Sequence, residues 1–253
     1  ICQGGIGLNI IQDIAYVNGE VLKKTTENIK KNPQVLFLGF AYVIVGIGVS
    51  FLMGYLLSGP IGIFGGIIMA VLQSALISSY LFVLGNVIVY NRFRWKDARY
   101  GLTHYLWKVY GIFFIFYISS MVLNLLAGII GPIIYTIYWV LPLIILLLLN
   151  PLPEAIYIKD RDPLDTIIYT FEFMKENWLN WLIPNIAFMF LIYALTSGIF
   201  SSDILGNGSG GIKWLIMVIA SGAVISVGML YRGHLFALLN GSTRRKRQFM
   251  RKF

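Results

Sequence analysis

The residues of this chain best suited to chemistry lie at the end of a long apolar stretch. Glu154 follows the segment "LNPLP" directly. Three prolines are expected to kink or break the helix before it and to expose backbone carbonyl groups: Pro142, Pro151 and Pro153. Many transporters build their sites from broken helices that carry an ionisable group. Arg232 lies in the last apolar stretch at about the same expected depth, so the sequence predicts a Glu154–Arg232 polar pair.

Other interpretations of these polar residues stay open. Glu154 and Arg232 would also be accommodated if both lay at the membrane interface and extended to lipid headgroups, or if they formed a purely structural pair. Gln73 and Asn124 lie within apolar stretches and would line a polar path in a transporter. They would equally serve as hydrogen-bonding groups between helices, for a gain of about 0.6 kcal/mol each.

The sequence lacks the residue groups that indicate an enzyme or a metal site. It has two histidines and one cysteine, and neither histidine has an acidic pair beside it. Intramembrane phosphatases and serine hydrolases need clusters of such groups in one place. The segment "GNGSGG" (206–211) is not followed directly by the Lys and Ser/Thr of a phosphate-binding loop and is predicted to be a turn. We therefore predict no catalytic residue, no metal and no cofactor.

The composition is that of a membrane protein. Hydrophobic residues make up 58% of the chain, charged residues only 12%, and the mean hydropathy is +0.77. Uncharged stretches of 17 or more residues recur, and a helix of about this length spans a hydrocarbon core of roughly 30 Å. These features predict an all-α fold, a polytopic helical bundle with six spans: 34–57, 61–90, 109–130, 133–150, 180–200 and 213–239.

The basic residues are distributed unevenly about these spans. Of the 20 lysines and arginines, only Lys213 falls on the side of the short connections near 58, 131 and 205. The positive-inside rule assigns the other, basic side to the cytoplasm. Both termini are therefore predicted to be cytoplasmic, in a multi-pass protein of the cell membrane.

Cytoplasmic amphipathic helices are predicted before spans one, three and five. The strongest pattern, 163–178, begins with a typical helix start and carries an acidic face that we predict contacts a partner: Asp165, Glu172 and Glu176. With two further amphipathic segments, 95–108 and 21–34, it suggests a threefold repeat of an amphipathic helix plus a helical hairpin. Unrelated loops between hairpins would give the same pattern.

Helical spacing predicts which residues form the apolar faces of these segments, which are expected along the membrane surface or beneath the bundle. In 163–178 the face comprises Leu164, Ile167, Ile168, Phe171 and Trp178. In 95–108 it comprises Trp95, Ala98, Leu102 and Tyr105, opposite Asp97, His104 and Lys108. In 21–34 it comprises Val21, Leu22, Thr25 and Ile29.

Small residues recur at every fourth position in the first two spans. Such residues lie on one face of a helix and allow helices in a bilayer to approach closely. We predict a helix-packing stripe of Gly46, Ser50, Gly54, Gly62, Gly66, Ala70, Ser74 and Ser78. Gly222 and Ser226 extend the pattern to span six. Spans one, two and six are therefore expected to form the tightly packed centre, although one stripe would also suit another subunit.

The order of these elements resembles a known domain. Six spans, the segment "NPLPEAIYIKDRDPLDTIIYTFEFMKENW" (150–178) and a final "YRGHLFALL" (231–239) before a basic tail are similar to the six-helix membrane domain fused to some bacterial glycerophosphodiester phosphodiesterases, and to its stand-alone prokaryotic relatives. The resemblance implies a membrane module that works beside a lipid-related partner. It implies no phosphodiesterase activity, because the acidic and histidine ligands of the hydrolase barrel are absent from this sequence.

Together, these features predict a non-enzymatic integral membrane protein that acts as a structural or accessory subunit. The chain divides into a cytoplasmic amphipathic segment (1–33), a six-span domain (34–240) and a basic cytoplasmic tail (241–253). The expected partners are membrane lipids, with anionic lipid at the tail, and a second protein; nucleic acid is not expected. The alternative is a transporter or permease component with a polar site near Glu154, Arg232, Gln73 and Asn124.

Overall fold

The structure, a computed structural model, describes residues 3–56, 64–130, 133–199, 210–242 and 246–247. Its elements within these ranges are all helical, with no strand among them, so the predicted all-α fold is confirmed. In chain order they are α1 (Gln3–Lys31), a 3₁₀ turn (Pro33–Phe37), α2 (Leu38–Leu56), α3 (Gly65–Tyr90), α4 (Trp95–His104), α5 (Leu106–Ile130), α6 (Ile133–Leu148), α7 (Leu152–Lys159), α8 (Pro163–Ile199) and α9 (Gly210–Gly241).

Among the residues that the structure describes, six helical stretches are long and apolar enough to cross a membrane, as predicted. Each exceeds the roughly 20 residues that span a hydrocarbon core at 1.5 Å per residue. The chain is therefore a multi-pass membrane protein. The stretches are Pro33–Leu56, Gly65–Tyr90, Leu106–Ala127, Thr136–Lys159, Pro163–Leu195 and Ile216–Gly241.

Prolines act differently at different points of the chain. Pro33 ends α1, because a proline disfavours helical geometry at the residue before it. The fourth span is broken between α6 and α7, where Pro151 precedes the first residue of α7. Pro142, in contrast, lies inside α6, and Pro184 lies inside α8. Of the three prolines expected to disrupt the fourth span, Pro142 therefore does not end a helix.

The predicted separation between an amphipathic helix at 163–178 and a span at 180–200 is wrong. Helix α8 runs without interruption for 37 residues, from Pro163 to Ile199. Residues 164–183 contain no glycine or proline that would end it near residue 178. Its length of about 55 Å exceeds the roughly 30 Å hydrocarbon core. Part of α8 must therefore extend beyond the hydrocarbon or tilt strongly. Helix α4, in contrast, is a separate helix that ends at His104, and Tyr105 separates it from α5.

The amphipathic helices bury some of their residues within the protein and expose others. In α4, Asp97 and Gly101 are buried, whereas Trp95 is 60% exposed. In α8, Thr166 and Thr170 are buried. The predicted apolar side is exposed at several positions: Leu22, Trp95, Leu102, Leu164, Ile168 and Trp178. Other members of the predicted faces are buried, namely Val21, Thr25 and Tyr105, and α8 also buries Phe173 and Met174.

The chain forms two compact units that interleave along the sequence. The first comprises residues 1–45, 84–93 and 177–253, and the second comprises residues 46–83 and 94–176. The core of the first unit includes Val17, Val21, Val35, Leu38, Trp181, Leu230, Leu235 and Phe236. The core of the second includes Leu81, Val83, Val109, Ile112, Ala155, Ile156, Phe173 and Met174. The predicted division at residues 33 and 240 stays a prediction.

Within the first unit, the backbone at the start of α2 lies in close contact with α9. The N–H of Gly39 donates a hydrogen bond to Ser226 Oγ at 2.9 Å. A Cβ atom added to Gly222 would lie 2.8 Å from Phe40 Cβ and 3.2 Å from Phe40 Cα. No side chain larger than hydrogen fits at Gly222 without movement of the backbone.

The second unit contains a similar close contact between α3 and α4. Ser78 Oγ donates to the carbonyl oxygen of Gly101 at 2.5 Å and accepts from the N–H of Tyr105 at 2.7 Å. Ser79 Oγ donates to the carbonyl of Ala98 at 2.6 Å. A Cβ atom at Gly101 would lie 2.9 Å from Ser79 Cα. Serines of a membrane span thus hold the backbone of a short amphipathic helix.

We predict that Gly222→Ala destabilises the protein by about 1–3 kcal/mol, because the added methyl group forces α2 and α9 apart. The matched control is Gly46→Ala, since a Cβ at that position has no atom of another part of the described chain within 4 Å. The free energy of unfolding in detergent is the measurement. Equal stability of the two variants would contradict the close approach at Gly222.

Candidate functional site

The candidate site is a polar seam along one face of α1. Residues at spacings of three or four lie on the same side of a helix. On this side of α1 and in the residue after it, six positions are buried, and four of them are polar: Asp13, Val17, Val21, Thr25, Asn28 and Asn32. Buried polar groups are costly unless they are hydrogen-bonded. The seam must therefore supply partners for these side chains.

The middle of the seam joins α1 to the last span. The Tyr231 hydroxyl donates to Asn18 Oδ1, and Asn28 Nδ2 lies 2.5 Å from His234 Nε2. An amide nitrogen only donates, so His234 accepts through Nε2. Tyr231 and His234 are three residues apart and share a face of α9. These side chains attach a helix that precedes the first span to the final one.

The strongest interaction of the seam is a buried ion pair. Arg247 Nε donates to Asp13 Oδ1 at 3.0 Å and Nη2 donates to Oδ2 at 2.8 Å, with both side chains only 3% exposed. Asn180 Nδ2 of α8 donates to Asp13 Oδ2 at 3.1 Å. Arg247 Nη1 donates to the carbonyl of Ser242 at 2.6 Å. Bidentate geometry and the additional hydrogen bonds satisfy both charges.

Asn32 closes the other end of the seam. Its Nδ2 lies 3.2 Å from both the carbonyl oxygen and the side-chain Oδ1 of Asn91, and its Oδ1 accepts from the N–H of Phe93 at 3.1 Å. Asn91 adopts a left-handed backbone (φ 52°), which asparagine tolerates at a helix end. The end of α1 is thus tied to the segment that follows α3.

A cavity of about 330 Å³ lies beside the ion pair. One wall is formed by α1 and the other by the last turn of α9 with the residues after it. Its polar lining comprises Tyr16, Glu20, Lys24, Ser242, Lys246 and Arg247. Several charged side chains therefore face this one cavity.

The predicted pair of Glu154 and Arg232 falls in two different units. Glu154 is fully buried in the first turn of α7, within the second unit. Arg232, in the first unit, places its guanidinium carbon 5.3 Å from the centre of the Trp181 ring, a cation–π contact. Full burial of Glu154 does not suit a side chain that extends to headgroups. Their pairing stays a prediction.

Gln73 and Asn124 both form hydrogen bonds between neighbouring helices. Gln73 Nε2 of α3 donates to Ser50 Oγ of α2 at 3.1 Å. The Tyr138 hydroxyl of α6 donates to Asn124 Oδ1 of α5 at 2.5 Å. These contacts correspond to the interpretation in which the two residues connect helices.

The small-residue stripe divides into an open and a buried part. Apart from the adjacent residues and the backbone of the same helix turn, no atom of the described residues lies within 4 Å of a Cβ built at Gly46, Gly54 or Gly66. Ser50 is also exposed, and Ala70 is partly exposed. Ser74 and Ser78 are fully buried, and Ser78 contacts α4 and the start of α5 as described above. Gly62 lies outside the described residues.

The remaining predicted features are placed as follows. The three acidic residues Asp165, Glu172 and Glu176 are exposed on α8. Within the described ranges, no three histidine, cysteine, aspartate or glutamate side chains come together as metal ligands would. Residues 206–209 of the glycine-rich turn and most of the basic tail lie outside the described residues.

The seam was not predicted from the sequence. Four of its members were not singled out: Asp13, Asn18, Asn28 and Asn180. The spacing of Asp13, Thr25, Asn28 and Asn32 along one helix face was a detectable pattern. The partner of Asp13 was not detectable, because Arg247 lies 234 residues away and belongs to a tail in which every basic residue has the same apparent role.

We predict that Arg247→Met lowers the free energy of unfolding by about 3–5 kcal/mol, since it leaves the Asp13 carboxylate buried without its counter-ion. Arg92→Met, at an exposed arginine, is the control and should change stability little. The double variant Asp13→Leu with Arg247→Met should be more stable than Arg247→Met alone. Equal stability of Arg247→Met and Arg92→Met in detergent unfolding would contradict the pair.

Comparison of the chain with protein-family models, with curated proteins and with solved structures gave no match. The resemblance to the membrane domain of glycerophosphodiester phosphodiesterases therefore stays an expectation from sequence layout. A function has to be argued from the contacts and charges of the chain itself.

Proposed function

We propose that this membrane protein is a non-enzymatic structural or accessory subunit of the cell membrane that contacts lipid and a protein partner. The observation that carries the proposal is the polar seam. Asp13, Asn18 and Asn28 each bond to a distant helix or to the chain end, and thereby hold the N-terminal helix on the last span. Buried polar groups used in this way fix a shape, which is what an accessory subunit presents to its partner.

Lipid contact is supported by the outward direction of large apolar side chains. Trp95 on α4 and Trp178 on α8 are 60% and 53% exposed, and the opposite sides of both helices are buried. Helical segments with an apolar outer face that carries tryptophan are typical of the membrane interface. We infer that α4 and the first part of α8 lie with these faces in the headgroup region.

The proposed orientation places both termini in the cytoplasm. Six spans return the chain to the side from which it started. The contact between Asp13 and Arg247 supports this arrangement, because residues near the two ends can pair only on the same side of the membrane. The distribution of basic residues assigns that side to the cytoplasm.

A recurring serine contact supports the proposed threefold repeat. Ser78 of span two accepts from the N–H of Tyr105, directly before span three. Ser226 of span six accepts from the N–H of Gly39, at the start of span one. In both units, an even-numbered span holds the backbone where an odd-numbered span begins. This pattern is expected if each hairpin packs against the start of another hairpin.

The acidic face of α8 is the proposed partner surface. We predict that the double variant Glu172→Lys with Glu176→Lys reduces copurification of a bound protein about tenfold, which corresponds to about 1.4 kcal/mol lost from an electrostatically matched contact. The control is Glu27→Lys, an exposed glutamate on α1. Quantitative mass spectrometry of affinity-purified protein is the measurement. Equal recovery of partners with both variants would contradict the assignment.

A transporter or permease component is the second candidate, because Glu154 is completely buried in a proline-broken span. An ionisable group inside a membrane segment is a candidate functional site, because burying a charge there is costly. If the protein is an accessory subunit, the Glu154→Gln variant should leave ion and solute flux into proteoliposomes unchanged. Loss of a flux in a stably folded Glu154→Gln protein would instead establish the transporter.

A further inference from the structure

The cavity beside the ion pair has the chemistry of a headgroup site. Tyr16, Glu20 and Lys24 are each four residues apart, so all three project from one face of α1 into the same space. Opposite them, Lys246 Nζ lies 3.5 Å from the carbonyl oxygen of Gly241, which positions its ammonium group at the cavity. Arg247 contributes no net charge, because Asp13 neutralises it.

The cavity lies at the depth of lipid headgroups. Gly241 is the last residue of the sixth apolar stretch, and it lines the cavity together with Ala237 and Leu238. The end of an apolar span marks the boundary between hydrocarbon and headgroups. A ligand here would therefore have an apolar contact on the membrane side and charged contacts on the aqueous side. Basic pockets at this level are typical sites for phospholipid headgroups.

The size and the sign of the charges restrict the ligand further. A volume of about 330 Å³ is at the lower end of ligand pockets, which suits a headgroup and not a whole lipid. Two ammonium groups, Lys24 and Lys246, match the oxygens of one phosphate. The carboxylate of Glu20 would repel the phosphate itself. It would accept a hydrogen bond from an N–H or O–H group elsewhere in the same headgroup.

We propose that this cavity binds a phospholipid headgroup that carries an N–H or O–H donor beside its phosphate, such as phosphoethanolamine or phosphoglycerol. Lys24 and Lys246 bind the phosphate, and Glu20 accepts from the ammonium or hydroxyl group. This inference rests on the proposed lipid contact and adds the site and the headgroup class to it. It also gives α1 a role beyond packing, since the seam holds this wall of the cavity in place.

The test uses the full chain in detergent with equal amounts of phosphatidylethanolamine, phosphatidylglycerol and phosphatidylcholine, and native mass spectrometry to count retained lipids. Phosphatidylethanolamine and phosphatidylglycerol should be retained in preference to phosphatidylcholine, which has no donor. Lys24→Gln and Lys246→Gln should each lower retention about fivefold, the effect of one basic residue near a membrane surface. Glu20→Met, which removes the acceptor oxygens, should remove the preference over phosphatidylcholine.

Lys23→Gln is the matched control, because Lys23 is exposed on α1 but does not line the cavity. An equal loss with Lys23→Gln would overturn the site and indicate general surface charge. Displacement of the lipid by inorganic phosphate would overturn the lipid headgroup as ligand. Unselective retention by the unmodified chain would overturn the headgroup class. If a bound protein still copurifies in these cases, the accessory role stands and only the cavity assignment fails.

Discussion

The buried pair of Asp13 and Arg247 determines how the first unit is held together. Moving two charges out of water is costly, and this cost is offset only when the geometry is good and the remaining hydrogen-bonding groups are satisfied. Here Asn180 and the Ser242 carbonyl complete the pair. One interaction therefore fixes α1, α8 and the chain end. The cavity beside it keeps its shape for the same reason.

The membrane-embedded parts are held by weaker contacts of another kind. Lipid tails are as apolar as leucine, so helices gain little from burying apolar surface against each other. The contact of Gly39 with Ser226 and the hydrogen bond from Gln73 to Ser50 provide close packing and polar attraction instead. Large apolar side chains such as Trp95 are then left to face outward. The exposed apolar surface is thus expected for a protein whose surroundings are lipid tails, and it is not a defect of packing.

Hydropathy and charge were sufficient to predict the six spans, because a bilayer requires long apolar helices. The same pattern gave the wrong boundary in α8, since a change from amphipathic to apolar residues near Trp178 marks a change of environment and not a break in the backbone. The apolar pattern of α4 indicated a face with Trp95 but did not indicate that Gly101 makes the close contact with α3. The pairing of Asp13 with Arg247 needed three-dimensional information, because helical spacing reports faces and not distant partners.

The central claim is that the protein acts as an accessory subunit, and native mass spectrometry of the chain gently extracted from its own membrane, without overexpression, tests this claim most directly. The account predicts a complex of fixed stoichiometry between this chain and a second protein, with phospholipid retained. A chain that leaves the membrane without a protein partner, with only lipid or solute bound, would contradict the accessory role.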